Sequence, residues 1–107
     1  MVLAEGQGYA GPIKMLVGIA PDLSRVLGIE VIESTETPGL GARINEEEFQ
    51  NQFRGLSTRG GVEYVKGKAP QSDNQIQAIT GATISSRTVV RIVNETIEDI
   101  RRKVSGL

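Results

Sequence analysis

Eight consecutive residues, Ile79-Thr80-Gly81-Ala82-Thr83-Ile84-Ser85-Ser86, concentrate the chemistry of this chain. Four carry hydroxyls, and Gly81 and Ala82 leave almost no side-chain bulk between two of them. Small residues let another group approach the backbone closely. The longest amphipathic pattern in the chain begins directly afterwards. A helix that starts here presents unpaired N–H groups and the positive end of its dipole. A phosphate seated there lies within bonding reach of Thr83. The same residues have a plainer reading, in which Thr80 or Thr83 caps the helix and Ser85 and Ser86 fill its first turn. A P-loop is excluded, because no Gly-Lys-Ser/Thr follows Gly81. A second break in the core-and-solvent alternation covers residues 35–41, where Pro38, Gly39 and Gly41 signal a loop. Either it merely connects two elements, or its glycines keep the backbone bare for a flat ligand.

The elements that must position these residues follow from periodicity. Residues 1–11 are Gly-rich and read as an irregular lead-in. Residues 13–20 are mostly apolar, with Pro12 suited to the first position of a strand. Pro21-Asp22-Leu23-Ser24 carries turn chemistry, and residues 26–32 are β-branched and alternating, so the spacing predicts a hairpin. Asn45 with Glu48 three residues later resembles a capping box for a short helix. On that helix Phe49 and Phe53 share a face, and Gly55 ends it. Residues 62–65 and 75–79 read as short extended segments around a polar loop. From about Ile84 to Val104 the period becomes helical. Val89, Val93, Thr96, Ile97, Ile100 and Val104 form one stripe with Ile92 at its edge, and Arg87, Arg91, Asn94, Glu98, Arg101 and Arg102 face away. Glu98 with Arg102 and Asp99 with Lys103 form acid-before-base pairs four apart. The fold class is therefore α+β: a small antiparallel or mixed sheet, with a long C-terminal helix and a short central helix packed on it.

Composition narrows the function. A chain of 107 residues is one domain. With 38% hydrophobic and 23% charged residues it has enough apolar surface to bury a core. The net charge of -1 carries no basic excess, so nucleic acid is not an expected partner. The chain has no Cys and no His, which removes disulfides, Cys/His zinc sites, iron–sulfur ligation and the usual catalytic triads. No apolar run approaches a membrane span, and the N-terminus lacks a signal pattern, so the chain as given reads as a soluble domain.

Three segments, in order, carry a family resemblance: Gly8-Tyr9-Ala10-Gly11-Pro12-Ile13, Glu36-Thr37-Pro38-Gly39-Leu40-Gly41 and Thr80-Gly81-Ala82-Thr83-Ile84-Ser85-Ser86. With the apolar hairpin and the Phe49–Phe53 helix between them, the chain resembles one family over nearly its whole length. That family is the FMN-binding domain shared by the G subunit of Rnf electron-transport complexes and the C subunit of Na⁺-translocating NADH:quinone oxidoreductase. The resemblance implies a single FMN-binding domain over residues 1–107. Its cofactor would be FMN, covalently held by a phosphoester to Thr83, the last threonine of the Ser/Thr-Gly-Ala-Thr motif. It implies that a separate flavin transferase makes that bond from FAD, so this chain is the acceptor. Carried over residue by residue, the cofactor-binding set is Glu36, Thr37, Gly39, Leu40 and Gly41 from the loop, with Thr80, Gly81, Ala82, Ile84 and Ser85 from the corner.

The same resemblance implies an electron-carrier role among the other subunits of a membrane redox complex. It also implies a location on the extracytoplasmic face of the cell membrane, and an N-terminal membrane helix that is missing here, as from a trimmed domain. Two positions depart from the family pattern. Gln77 stands six before Thr83, where an acid is usual and bears on attachment, and Ser34 stands two before Glu36, where His is common. Two other classes of function fit the residues: a module binding flavin or a nucleotide phosphate without a covalent bond, and a cofactor-free adaptor that pairs through a sheet edge.

Overall fold

The structure is a computed structural model that describes residues 2–8, 10–36 and 41–105. Four strands form an antiparallel sheet in the order β1 (Val2–Gln7), β2 (Pro12–Ile19), β3 (Arg25–Ser34) and β4 (Leu56–Ser57). The expected hairpin is β2–β3. Its turn closes through the Leu23 N–H donating to the Ala20 carbonyl at 2.9 Å, with Pro21 at the second turn position. Ile13, Met15 and Val17 alternate onto the inner face and are fully buried, as a period of two requires. Two bulges interrupt the pairing: Lys14 faces Glu33 while Met15 faces Val31, and Gly18 faces Gly28 while Ile19 faces Val26. The residues skipped are Ile32 and Leu27. They are 54% and 56% exposed, and the second skip returns Val26 to the core.

The lead-in expected at residues 1–11 is instead mostly strand: residues 2–7 pair with β2 from Val2↔Val17 to Gln7↔Pro12. The glycine that reads as irregular has a packing reason. A Cβ on Gly6 would lie 2.7 Å from Cγ1 of Ile92, so the strand is bare where a helix presses on it.

That helix, α2 (Thr83–Ser105), covers the inner face of the sheet. It starts one residue before the sequence expectation. Ile92, expected at the edge of the apolar stripe, is fully buried. Asn94, expected to face away, is half-buried: its side chain accepts from the Val62 N–H and donates to the Val62 carbonyl, each at 2.9 Å. The expected pairs four apart are also replaced. Arg101 pairs with Glu98 and Arg102 with Asp99, three apart, and Arg91 with Glu95 is an i,i+4 pair.

Between sheet and helix lie a 3₁₀ turn (Gly41–Asn45) and the short α1 (Glu47–Asn51). The capping box expected at Asn45 does not form, because the 3₁₀ turn absorbs Asn45. The N-cap is Glu46, without a side-chain cap bond. Phe49 and Phe53 do meet, edge to face with centroids 5.6 Å apart. α1 ends before Gly55, whose left-handed φ of +75° turns the chain into β4. The two short extended segments are β5 (Glu63–Val65) and β6 (Gln75–Gln77), a parallel pair separate from the main sheet. Gln52 closes the outer side of β6, accepting from the Gln77 N–H at 2.7 Å and donating to the Gln77 carbonyl at 3.1 Å.

Candidate functional site

β6 leads directly into the hydroxyl-rich corner. The Ala82 N–H donates to the Ile79 carbonyl at 2.9 Å, which closes a turn over residues 79–82. Gly81 sits third in that turn with φ +84°, a conformation costly for any residue with a Cβ. The residue before α2 is the buried Ala82, so neither Thr80 nor Thr83 occupies the cap position. Bracing comes from inside the helix. Ser86 Oγ accepts from the Ile79 N–H at 3.1 Å and donates to the Ala82 carbonyl at 2.9 Å. It ties the incoming chain to the first turn.

The hydroxyls of the first two turns divide sharply. Ser85 Oγ donates to Glu36, Ser86 is spent on the turn, and Thr88 Oγ1 bonds the Gln7 and Ile84 carbonyls at 3.0 and 3.1 Å. All three are buried. Thr83 is half-buried, and its hydroxyl makes no hydrogen bond among the described residues. Thr80, Gly81 and Ile84 around it are exposed, Ile84 to 41%. The corner therefore offers two uncommitted hydroxyls, those of Thr80 and, on the helix itself, Thr83, together with the N–H groups of a helix start and an apolar side chain in one place. This fits an anionic phosphate joined to a flat aromatic ring system.

Glu36 is 4% exposed and is the one buried ionisable residue among the described residues. Oε1 accepts from Ser85 Oγ at 2.6 Å, and Oε2 accepts from the Ala10 N–H at 2.5 Å. Its own N–H donates to Ser34 Oγ at 3.2 Å. Gly8 closes over it: a Cβ there would lie 2.2 Å from Oε1 and 2.7 Å from Cδ1 of Ile13. The Gly8 N–H donates to the Gly11 carbonyl at 2.8 Å, and a Cβ on Gly11 would meet Thr35 Oγ1 at 2.2 Å. Both glycines are bare because residues 35 and 36 press against them.

The structure thus brings Glu36 and Ser85 into direct contact, with Ala82, Thr83 and Ile84 on the same first turn and its lead-in. Thr37, Gly39 and Leu40 lie outside the described residues, and Gly41 is known only as the start of the 3₁₀ turn. Thr80 lines a groove of about 350 Å³ shared with Arg43, Phe49, Gln52 and Gln77. The sequence reading did not single out Ala10, Gly8 or Gln52, whose partners lie 25 to 28 residues away in the chain. No spacing rule links residues at such separations. Among the described residues no cluster of acidic side chains could hold a metal ion.

The family described as "FMN-binding domain" matches residues 8–98. The chain is 44% identical over 91 residues to the G subunit of the Na(+)-translocating ferredoxin:NAD(+) oxidoreductase complex of Acetobacterium woodii, covering 85% of this chain and 43% of that protein. It is 37% identical over 106 residues to the G subunit of the proton-translocating ferredoxin:NAD(+) oxidoreductase complex of Clostridium ljungdahlii, covering 99% and 55%. Among solved structures, NqrC of Shewanella oneidensis matches with a TM-score of 0.80 at 27% identity, over 87% of this chain and 46% of the other. The C subunit of the Na(+)-translocating NADH-quinone reductase of Parabacteroides distasonis matches at 0.74 and 30%, over 87% and 50%. The chain spans about half the length of these relatives. With a family match over most of its residues and the same fold, the chain belongs to the FMN-binding domain family.

Proposed function

We propose that this chain is the electron-carrier domain of a membrane-bound, ion-translocating redox complex, with FMN held by a phosphoester to Thr83. The observation that carries the attachment point is the division of hydroxyls at the start of α2. Ser85, Ser86 and Thr88 are buried and engaged, whereas Thr83 is accessible and uncommitted among the described residues. In the attachment step Thr83 Oγ forms a bond to the phosphorus on the riboflavin side of FAD. The pyrophosphate P–O bond breaks, AMP leaves, and the hydroxyl proton passes to solvent. A separate flavin transferase, as the family resemblance implies, supplies the catalysis.

When bound, the flavin supplies one- or two-electron chemistry that no side chain here can supply. The protein's part is placement. The first-turn N–H groups of α2 would stabilise the remaining phosphate charge, and Gly81 leaves the approach free of side-chain bulk. Ile84 offers the ring an apolar contact, Glu36 stands behind the corner through Ser85, and the cofactor-binding role that the family resemblance implies for Thr37, Gly39, Leu40 and Gly41 is part of the proposal. A corner this open encloses little of a ligand, and enclosure supplies much of small-ligand affinity, so a covalent tether offsets weak burial. The relatives are named as subunits of ion-translocating oxidoreductase complexes, which supports other subunits of such a complex as partners. The extracytoplasmic face of the membrane is the location proposed for the domain. Among the described residues no helix is long and apolar enough to cross a membrane.

Co-expression with a flavin transferase tests this reading. After denaturation, flavin absorbance should travel with the polypeptide, with a mass gain equal to FMN less water, and Thr83→Val should abolish both. Gln77, in place of the family's acid, favours one second reading, FMN bound without a covalent bond. Flavin that binds the native chain and leaves on denaturation would establish that reading in place of the first.

A further inference from the structure

Glu36 has a role beyond lining a cofactor loop. Three separate segments characterise the chain: residues 8–13, residues 36–41 and residues 80–86. Its carboxylate touches all three, being itself the first residue of the second, accepting the Ala10 N–H of the first and the Ser85 hydroxyl of the third. The contacts span 26 and 49 residues of sequence. Burying a carboxylate is costly unless its oxygens are well matched by donors. Here each oxygen has a donor within 2.6 Å, and Gly8 leaves the space the group needs.

The consequence for the corner is directional. Ser85 and Ser86 lie on the inward side of the first turn of α2, while Thr80, Gly81 and Ile84 lie outward and Thr83 is half-buried. Holding Ser85 from inside sets the rotation of that turn about its own axis, and with it the direction of the Thr83 hydroxyl. We propose that Glu36 is the positioning residue of the corner: its buried carboxylate knots the three segments together and fixes the presentation of Thr83. The knot itself is independent of any ligand. Its effect on loading rests on the FMN reading above.

Three variants test it. Glu36→Ala removes both bonds. Glu36→Gln keeps the shape, since its amide oxygen still accepts from Ala10 and its NH₂ donates to a reoriented Ser85 hydroxyl. Ser85→Ala removes one bond with little change in volume, and serves if Glu36→Ala does not fold. The first readout is hydrogen exchange at the Ala10 amide of the flavin-free chain. Protection should be lost in Glu36→Ala and retained in Glu36→Gln. The second is the rate of Thr83 modification by a flavin transferase with FAD, measured well below each variant's unfolding midpoint. Glu36→Ala and Ser85→Ala should slow it roughly tenfold or more, as misplacement of a reacting group does, and Glu36→Gln should restore most of the rate. Unchanged Ala10 exchange in Glu36→Ala would overturn the knot. Wild-type loading rates in both alanine variants would overturn the positioning role. A wild-type chain that takes up no flavin removes the FMN reading and the positioning role with it, and the exchange measurement still decides the knot.

Discussion

Ser85, Ser86 and Thr83 are chemically alike and sit within four residues, yet each hydroxyl has a different use. Helix geometry puts Ser85, two residues on, across the cylinder from Thr83, while Ser86, three residues on and nearer the Thr83 side, is taken up by its bonds to Ile79 and Ala82. Another hydroxyl shapes a local turn at the far end of the hairpin. Ser24 donates through both Oγ and its N–H to Asp22 Oδ1, at 2.6 and 3.0 Å. The side-chain bond is the main cause holding the Asp22 carboxyl below its usual range, followed by the backbone bond. A lowered folded pKa contributes stability above the unfolded value, and that contribution is lost as pH falls through the folded one. Ser24→Ala should therefore raise the Asp22 titration midpoint in a carboxyl-carbon NMR titration. Its small destabilisation should be present at neutral pH and vanish in acid. At this scale the sequence was half legible. The family resemblance singles out Thr83 as the proposed attachment point, and the loading experiment tests it. Burial of Glu36 was hidden, since glutamates are rarely buried and both donors that allow it are remote in sequence.

Elements were easier to read where period alone decides. β2 and β3 alternate and α2 repeats at helical spacing, so each declared itself. What period could not show was the side-chain amide used as a piece of backbone. Asn94 on α2 meets both the N–H and the carbonyl of Val62, just before β5, as a neighbouring strand would. A helix pattern marks Asn as polar and therefore outward, and only the tertiary fold turns it inward. Asn94→Ala would leave both Val62 groups without their partner in a part-buried setting. Each such loss costs about 1–3 kcal/mol, so the variant should lose roughly 2–6 kcal/mol, read as a fall of about 10 °C or more in Tm for a domain this size. β1 carries no strand signal for a related reason: Gly6 is there for the close approach of Ile92 rather than for a turn. The parallel pairing of β5 with β6 depends on a loop path that carries no local code.

The whole molecule is thin, 43 × 29 × 18 Å, which is one sheet and one layer of helix. Its core draws on every layer, from Ile13, Met15 and Val17 of the sheet to Val89, Ile92 and Val93 of α2 and Phe53 between them. The family fold was legible from the sequence because its segments recur in order, although the element joining them was not. The small parallel sheet has a consequence for how copies of the chain treat one another. Two strands leave two outer edges, and an open edge is a template on which another chain can add itself. At Gln77 that position is taken by the amide of Gln52, which occupies the N–H and the carbonyl together. Gln52→Ala should uncover it beside the exposed Thr80, and concentration-dependent self-association should then appear in light scattering at protein concentrations where the wild-type chain stays dispersed. One glutamine side chain thereby helps keep the hydroxyl-rich corner from becoming a polymerisation site.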